Sequence, residues 1–260
     1  MNTLIVERQA GPGVALVTLN RPAVLNAFNT EMWQELWALF RELAYDSALR
    51  CVVIQGAGER AFSAGGDLKE RNGMTDAQWS AQHQLIEDVL LAIRDFPRPV
   101  IASLHGIAHG GGLELALMCD FIIADATADL ALPESRRGFL PGGGGMQNLV
   151  RAIGVRKTKQ MLYAGMRIDA RTAFDWGIFN ELVAAGGHLA RSLELAGEIA
   201  RAAPQAVRSA KLTLQHGADT DFRAGYALDL AHHNMLVRGP DRLEGIRAFN
   251  EKREPQWTQQ

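Results

Sequence analysis

The sequence contains two glutamates whose surroundings favour proton-transfer chemistry. The first, Glu114, lies in the segment HGIAHGGGLELALMCD, where three glycines at 110–112 precede an apolar helical run. Glycine has no Cβ, so a ligand can approach the backbone closely, and the first amides of a helix have no partner within it. Those amides and the helix dipole favour a negatively charged oxygen. A carboxylate among apolar residues is costly to bury unless it is paired or has a chemical role.

The second glutamate lies twenty residues further along the chain. Glu134 follows Pro133 in the segment DLALPESRRGFLPGGGG and precedes another glycine run at 142–145. A glutamate after proline is common in loops, and a glycine run is often only a tight turn, so neither segment is specific alone. Together, two carboxylates and a site for a negative oxygen predict proton transfer next to a carbonyl group.

A third segment, ERAFSAGGDLKER at 59–71, follows the strand-like run CVVIQG. With these three segments in this order and spacing, the chain resembles the enoyl-CoA hydratase/isomerase family, the crotonase superfamily. The similarity extends from VALVTLNRPAVLNAFN near the start to AFNEKREPQW at the end, which is nearly the whole chain. It implies the α/β ClpP/crotonase fold, a spiral of repeated β-β-α units with a helical C-terminal region that drives trimer formation.

The resemblance also implies roles for individual positions. The backbone amides matching the family's oxyanion hole are those of Gly66 and Gly111, which would hold the thioester oxygen of an acyl-CoA. In members that add water to a 2,3-double bond, two glutamates hold and activate the water, and Glu114 and Glu134 match them. Gly142 would place an amide near that water and the second carboxylate. Isomerases of the family commonly retain only one of the two glutamates.

Contacts to the CoA part of the substrate are implied at a further set of positions. They are Arg21, Ala64, Asp67, Leu68, Lys69, Phe249 and Lys252. In this family the C-terminal contact is often made across a subunit boundary. No cofactor is expected, because CoA is itself part of the substrate.

We expect no metal site. His105 and His109 have the four-residue spacing of a helical metal-binding pair, but glycines follow them before the helix begins. The family often has an apolar residue where His109 stands, and well-known hydratases can carry a polar residue where this chain has Leu132. The segment GMQN at 145–148 also departs from the frequent GTQR. These differences indicate an altered acyl pocket and leave the reaction class unchanged.

Composition sets the broader expectations. A chain of 260 residues with 47% hydrophobic content can bury a substantial core, and a net charge of −2 gives no general attraction to nucleic acid. No early segment has the form of a signal peptide, and no apolar run is long enough to cross a membrane. Cys51 and Cys119 lie in apolar segments, which favours reduced thiols. We therefore expect a cytoplasmic protein that does not associate with membranes.

Strand-like and helical runs alternate through the first half of the chain. The runs at 14–19, 51–56, 99–104 and 121–124 predict strands, and helices are predicted after Asn29 or Thr30 and after Thr75. Beyond about residue 145 the chain is predicted to be almost wholly helical. We expect one continuous module, with an α/β core at 1–195 and a helical region at 196–260.

The basic stretch Arg201, Arg208 and Lys211 predicts a solvated face on one of these C-terminal helices. That face is not dense enough in lysine to favour RNA binding.

The preferred functional hypothesis is an enoyl-CoA hydratase. The enzymatic alternatives are an enoyl-CoA isomerase, or a hydratase or dehydratase of a branched or substituted acyl-CoA such as methylglutaconyl-CoA. A different class is a binding protein, since one methylglutaconyl-CoA hydratase also binds AU-rich RNA, but retention of both glutamates favours catalysis. The expected partners are the acyl-CoA substrate and further copies of the chain, in a trimer or dimer of trimers. The acyl chain and the assignment of acid and base remain open.

Overall fold

The computed structural model describes residues 1–258, which form two sheets surrounded by helices. The strands are β1 Leu4–Gly11, β2 Val14–Leu19, β3 Cys51–Gly56, β4 Ala61–Ser63, β5 Val100–Leu104, β6 Ile107–His109, β7 Phe121–Asp125, β8 Asp129–Ala131, β9 Arg167–Asp169 and β10 Glu181–Val183. The helices are α1 Thr30–Leu43, α2 Leu68–Arg71, α3 Asp76–Arg94, α4 Gly111–Met118, α5 Gly145–Ala164, α6 Ala170–Trp176, α7 His188–Arg201, α8 Pro204–Gly217, α9 Phe222–Val237 and α10 Pro240–Glu251. Pro22–Val24 and Glu134–Arg137 form short 3₁₀ turns.

The larger sheet has the strand order β1-β2-β3-β5-β7-β10, and the smaller sheet has the order β4-β6-β8-β9. All neighbours in the larger sheet are parallel except β1, which pairs antiparallel with β2 at one edge. In the smaller sheet β4, β6 and β8 are parallel and β9 is antiparallel. The expected α/β architecture is confirmed.

Repeated β-β-α units connect the two sheets. In the units β3-β4-α3, β5-β6-α4 and β7-β8-α5, the first strand joins the larger sheet and the second joins the smaller one. The short helix α2 is inserted in the first unit. Because β4, β6 and β8 are parallel, the three segments that follow them leave the smaller sheet at the same edge. Ligand sites in parallel α/β sheets form at this edge.

The larger sheet is buried on both faces, which explains the nearly continuous apolar sequence of its inner strands. Alternate residues of β2 point to opposite faces: Ala15 and Val17 pack in the main core, while Val14 and Leu16 pack beneath α7. Helices α1, α3 and α4 enclose the main core between the two sheets. The smaller sheet therefore packs one face against this core.

Two helix starts match the sequence-based predictions in detail. The Asn29 side chain accepts a hydrogen bond from the amide of Met32 at the start of α1. Thr75 and Gln78 form a reciprocal capping box at the start of α3. These local side-chain bonds fix where the two helices that border the cavity begin.

The region after residue 145 is less uniformly helical than predicted. Strands β9 and β10, of three residues each, return the chain to the smaller and the larger sheet. Such short strands carry too few residues to display an alternating pattern. The division expected between residues 195 and 196 falls inside α7, whose apolar face packs on the larger sheet. No helix within residues 1–258 is both long and apolar enough to cross a bilayer.

The prediction of a solvated basic face is wrong for Lys211. Its side chain is only 7% exposed, and its ammonium lies 2.7 Å from a carboxylate oxygen of Asp120. It also donates to the carbonyl of Arg98. Burial raises the pKa of the Asp120 carboxyl despite the ammonium beside it. The pair therefore fastens α8 to the loop between α4 and β7.

Removing this ammonium tests how much the C-terminal helices depend on the pair. We expect Lys211→Met to lower the free energy of unfolding by about 2 to 3 kcal/mol, because the largely buried Asp120 carboxylate loses its counter-ion and keeps the hydrogen bond from the amide of Val100. The matched control Arg208→Met removes an exposed charge from the same helix and should change stability by less than about 0.5 kcal/mol. Urea denaturation at a fixed protein concentration measures both. Equal effects of the two substitutions would contradict the structural role.

Candidate active site

A cavity of about 320 Å³ opens at the edge of the smaller sheet where β4, β6 and β8 end. Its walls come from the segments after these strands, from α3 and from the turn that precedes α5. Many residues expected at the site line this one cavity: Ala64, Gly66, Leu68, Gly111, Glu114, Glu134 and Gly142. Three widely separated sequence motifs are thus brought together.

The backbone amides of Gly66 and Gly111 lie at the same end of the cavity. Neither donates to an acceptor within residues 1–258. The amide nitrogen of Gly66 is 3.7 Å from the position that a Cβ on Gly111 would occupy, so the two peptides are neighbours. The loop carrying Gly66 is held in place because Phe28 donates its amide to Gly65 and accepts from Asp67. Two unpaired N–H groups in a supported loop can bind an oxygen with negative charge.

The start of α4 requires glycine for a steric reason. A Cβ on Gly112 would lie 2.3 Å from the carbonyl oxygen of Ser63 at the end of β4. Only glycine permits this approach of the helix to the strand. This contact between α4 and β4 sets the distance between the amides of Gly66 and Gly111, because Gly66 follows β4 and Gly111 directly precedes Gly112.

Glu114 is a buried carboxylate with two backbone donors. Its Oε1 accepts from the amide of Gly143 at 2.6 Å and from the amide of Gly145 at 3.2 Å. Burial raises the pKa of the Glu114 carboxyl, while the two amides and the more distant charge of Arg71 act in the opposite direction. Glu114 therefore lies in the apolar environment that the sequence predicted for it. The glycine turn at 142–145 supplies its hydrogen bonds.

Glu134 lines the same cavity, at the start of the 3₁₀ turn after β8. Its Oε2 is buried without a hydrogen-bond partner in the described part of the chain. Burial raises the pKa of Glu134 to about 7, and the negative charge of Glu114 adds to this effect, while its own amide and the charges of Arg137 and Arg71 oppose it. A carboxyl group with a pKa near neutrality can both accept and release a proton at physiological pH.

Arg21 and Asp67 stand behind the loop that carries Gly66. The Arg21 guanidinium donates to the carbonyl of Ala27 at 2.6 Å and to the Asp67 carboxylate at 2.9 Å. Burial opposes ionisation of Asp67, but the hydrogen bond from Arg21 and the amides of α2 outweigh it and hold the pKa of Asp67 below its usual value. In this chain the two residues brace the loop and do not line the cavity.

The remaining residues expected to contact CoA are on the surface. Lys69 is exposed beside Leu68 at the cavity mouth. Phe249 is 83% exposed near the end of α10, and Lys252 follows directly after that helix. Neither Phe249 nor Lys252 lines the cavity of its own chain.

Several cavity residues were not predicted from the sequence. Gly143 lines the cavity and donates its amide to Glu114, and Gly145, which is not part of the cavity lining, donates to the same carboxylate. Gly142, whose amide the resemblance places near Glu134, lies against His83. Arg71 also faces the cavity, immediately after the DLKE motif. The only sequence signal for Arg71 was its position, since it is a basic residue directly after a motif that contributes to the site.

The two histidines considered as metal ligands bond elsewhere. His105 donates through Nε2 to the carbonyl of Gly58, and Nε2 of His109 lies 3.0 Å from the Asp129 carboxylate. Within residues 1–258, no group of three potential metal ligands comes together. His109 does line the cavity, so the departure noted in the sequence alters the pocket wall.

The raised pKa of Glu134 makes a prediction about stability. Between pH 4.5 and about 7 the folded protein binds a proton that the unfolded chain releases, so this group's contribution falls as pH rises through that range. We expect Glu134→Gln to be more stable than the native protein at about pH 8, by up to about 3 kcal/mol, and the difference to shrink towards about pH 5. Glu59→Gln, at an exposed glutamate, is the control. Denaturation curves of the native protein and the variants at both pH values measure this difference in stability. A difference that does not change with pH would contradict the prediction.

Comparison with known proteins agrees with this geometry. Residues 9–260 match the family model described as enoyl-CoA hydratase/isomerase. YngF of Bacillus subtilis, a candidate enoyl-CoA hydratase/isomerase, is 41% identical over 92% of both chains. The mitochondrial enoyl-CoA hydratase domain-containing protein 2 of Mus musculus is 38% identical over 97% of this chain and 88% of its own. The crystal structure of enoyl-CoA hydratase from Bacillus anthracis superposes with a TM-score of 0.96 at 37% identity, covering 99% of this chain and 100% of that one. The chain therefore belongs to the enoyl-CoA hydratase/isomerase family, with the crotonase fold.

Proposed function

We propose that this protein is an enoyl-CoA hydratase, which adds water across the 2,3-double bond of a 2-enoyl-CoA thioester. The observation that carries the proposal is the pair of buried carboxylates, Glu114 and Glu134, in one cavity with the unpaired amides of Gly66 and Gly111. The amides supply the electrophilic half of the site and the carboxylates supply the proton-transfer half. No cofactor is needed beyond the CoA that forms part of the substrate.

The two amides would bind the thioester oxygen. Hydrogen bonds to that oxygen withdraw electron density from C3 of the conjugated chain, and attack by water then places enolate charge on the same oxygen. Donors that are already oriented need little reorganisation when this charge develops, and one such donor is worth roughly 3 to 4 kcal/mol in acyl transfer.

The two carboxylates differ in a way that favours different roles. Glu114 has one oxygen fixed by two amides, which favours its anionic form, whereas Glu134 has no such pair of donors and an oxygen without a partner. We assign to Glu114 the orientation of the attacking water and to Glu134 the proton that is delivered to C2. The water's oxygen bonds to C3, its released proton returns to the carboxylate pair, and the site is regenerated.

Removing either carboxylate tests the assignment. We expect Glu114→Gln and Glu134→Gln each to lower kcat for hydration of crotonyl-CoA by at least about a hundredfold, with CoA-thioester affinity changed by less than about tenfold. The double variant should lose little more than the worse single one, because residues that act as a unit are not additive. Loss of the enoyl-thioester absorbance measures turnover.

Glu59→Gln serves as the exposed control in the same assay. Near-normal hydration in either single variant contradicts the two-glutamate mechanism. If the native protein instead interconverts 2-enoyl- and 3-enoyl-CoA without adding water, it is an isomerase, the alternative that needs only one glutamate.

The C-terminal helices support a further part of the proposal, that the active form is a trimer or a dimer of trimers. Helix α9 has no buried residue within the chain, although most helices in water depend on packing for stability. Large apolar side chains are exposed along α9 and α10, among them Phe222, Tyr226, Met235, Ile246 and Phe249. Further copies of the chain would cover these side chains and bring Phe249 and Lys252 to the CoA of a neighbour.

Light scattering tests the assembly directly. We expect a mass of three or six chains at assay concentration, because association removes the exposed apolar side chains from water and this burial stabilises the assembly. Truncation before Ala248 should weaken CoA-thioester binding, because it removes both Phe249 and Lys252. A fully active monomer would contradict both expectations.

A further inference from the structure

Arg71 is held rigidly at the cavity wall. Its Nε donates to Oε1 of Gln82 at 2.8 Å, and its guanidinium carbon lies 4.6 Å from the ring centre of Trp79. Gln82 is itself buried and fixed, since its amide nitrogen donates to Thr30 at 2.7 Å and to Glu70 at 2.9 Å. A planar guanidinium held in this way keeps its outward N–H groups in a fixed fork.

The outward nitrogens of Arg71 have no counter-ion. No carboxylate within residues 1–258 forms a salt bridge or a hydrogen bond with Nη1 or Nη2. The negative charges of Glu70, Glu114 and Glu134 act on the guanidinium from further away and favour its charged form. Burial lowers the pKa of Arg71. A partly buried cation that lacks a direct partner is stabilised when a ligand supplies the anion.

The fork lies next to the place where the reacting part of the substrate must be. A Cβ built on Gly66 would be 3.2 Å from both the guanidinium carbon and Nη1 of Arg71. The same glycine supplies one of the two unpaired amides. Arg71 is therefore close to a thioester bound there, and Glu114 and Glu134 are near enough for their charges to act on its guanidinium.

We propose that the acyl chain of the natural substrate ends in a carboxylate, and that the guanidinium of Arg71 binds this carboxylate. The proposal rests on the proposed hydratase function and narrows its substrate to short 2-enoyl-CoA thioesters of dicarboxylic acids. A substrate carboxylate near Glu114 and Glu134 would be repelled by them, and the fixed cation offsets that repulsion. Guanidinium and carboxylate match in geometry, since two parallel N–H···O bonds can form between them.

Two other uses of the cation are distinguishable by experiment. If Arg71 binds a phosphate of CoA, its removal weakens all CoA thioesters alike. If it stabilises the enolate charge, its removal lowers turnover of every enoyl chain and leaves the preference between chains unchanged. Only recognition of the acyl chain changes the ratio between a carboxylated substrate and its methyl-terminated counterpart.

Binding of saturated analogues gives a test that does not depend on turnover. Isothermal calorimetry on the native protein compares glutaryl-CoA and adipyl-CoA with butyryl-CoA. We expect at least one carboxylated ligand to bind about tenfold or more tightly than butyryl-CoA, as a charge-assisted pair of hydrogen bonds requires. Arg71→Met should abolish this preference, and Arg71→Lys, which keeps the charge without the fork, should retain only part of it.

Arg136→Met is the matched control. Arg136 is exposed one residue before the cavity-lining Arg137 and donates to the carbonyl of Ala164, so its removal changes the local charge without altering the cavity wall. The preference should stay within about twofold of native in this variant. In turnover, the ratio of kcat/KM for glutaconyl-CoA to that for crotonyl-CoA should fall at least about tenfold in Arg71→Met.

The outcomes separate this inference from the proposed function. Equal affinity of the native protein for carboxylated and methyl-terminated ligands overturns the inference, even if crotonyl-CoA is hydrated. An Arg71→Met variant that weakens all ligands equally, or that keeps the native preference, also overturns it. A carboxylate preference that depends on Arg71 supports it as recognition of the acyl chain, and failure of the native protein to hydrate any enoyl chain then counts against the proposed reaction alone.

Discussion

The site depends on one requirement, that the buried carboxylate of Glu114 receives hydrogen bonds within an apolar core. An unpaired carboxylate there would be too costly to keep ionised. The amides of Gly143 and Gly145 meet the requirement, and by doing so they join α4 to the start of α5. A Cβ on Gly143 would come within 3.1 Å of that carboxyl group and within 2.5 Å of Leu90. The glycine-rich turn is thus a consequence of burying Glu114.

The division of strands between two sheets explains how separate motifs form one cavity. The long parallel strands of the larger sheet supply the buried area that stabilises the fold. The short strands β4, β6 and β8 contribute little area, but each ends beside a site residue: Gly66, Gly111 and Glu134 follow them within three positions. In each repeated unit, one strand thus contributes mainly to the stability of the fold and the other to the position of a site residue.

The sequence was most informative where structure depends on neighbouring residues. Helix caps, apolar strands and the glycine segments are local patterns, and they predicted the alternating strands and helices of the α/β fold and the two glutamates that meet in the cavity. The pairing of Gly66 with Gly111 came from the resemblance to the family. It was least informative where a partner is distant, as for Lys211, whose burial depends on Asp120, 91 positions away. The orientation of Arg71 likewise depends on Gln82 and Trp79 on another helix. Strands β9 and β10 escaped prediction because three residues cannot display a period.

The shared edge of β4, β6 and β8 also bears on how this chemistry can evolve. Each β-β-α unit presents its own residue to the cavity through a separate loop, and the register of the buried larger sheet does not depend on those loops. A substitution after one short strand can therefore change the side chain that this loop presents to the cavity while the strands of the larger sheet keep their pairing. Such an arrangement allows new reactions to arise by single, successive changes on a scaffold that remains stable throughout.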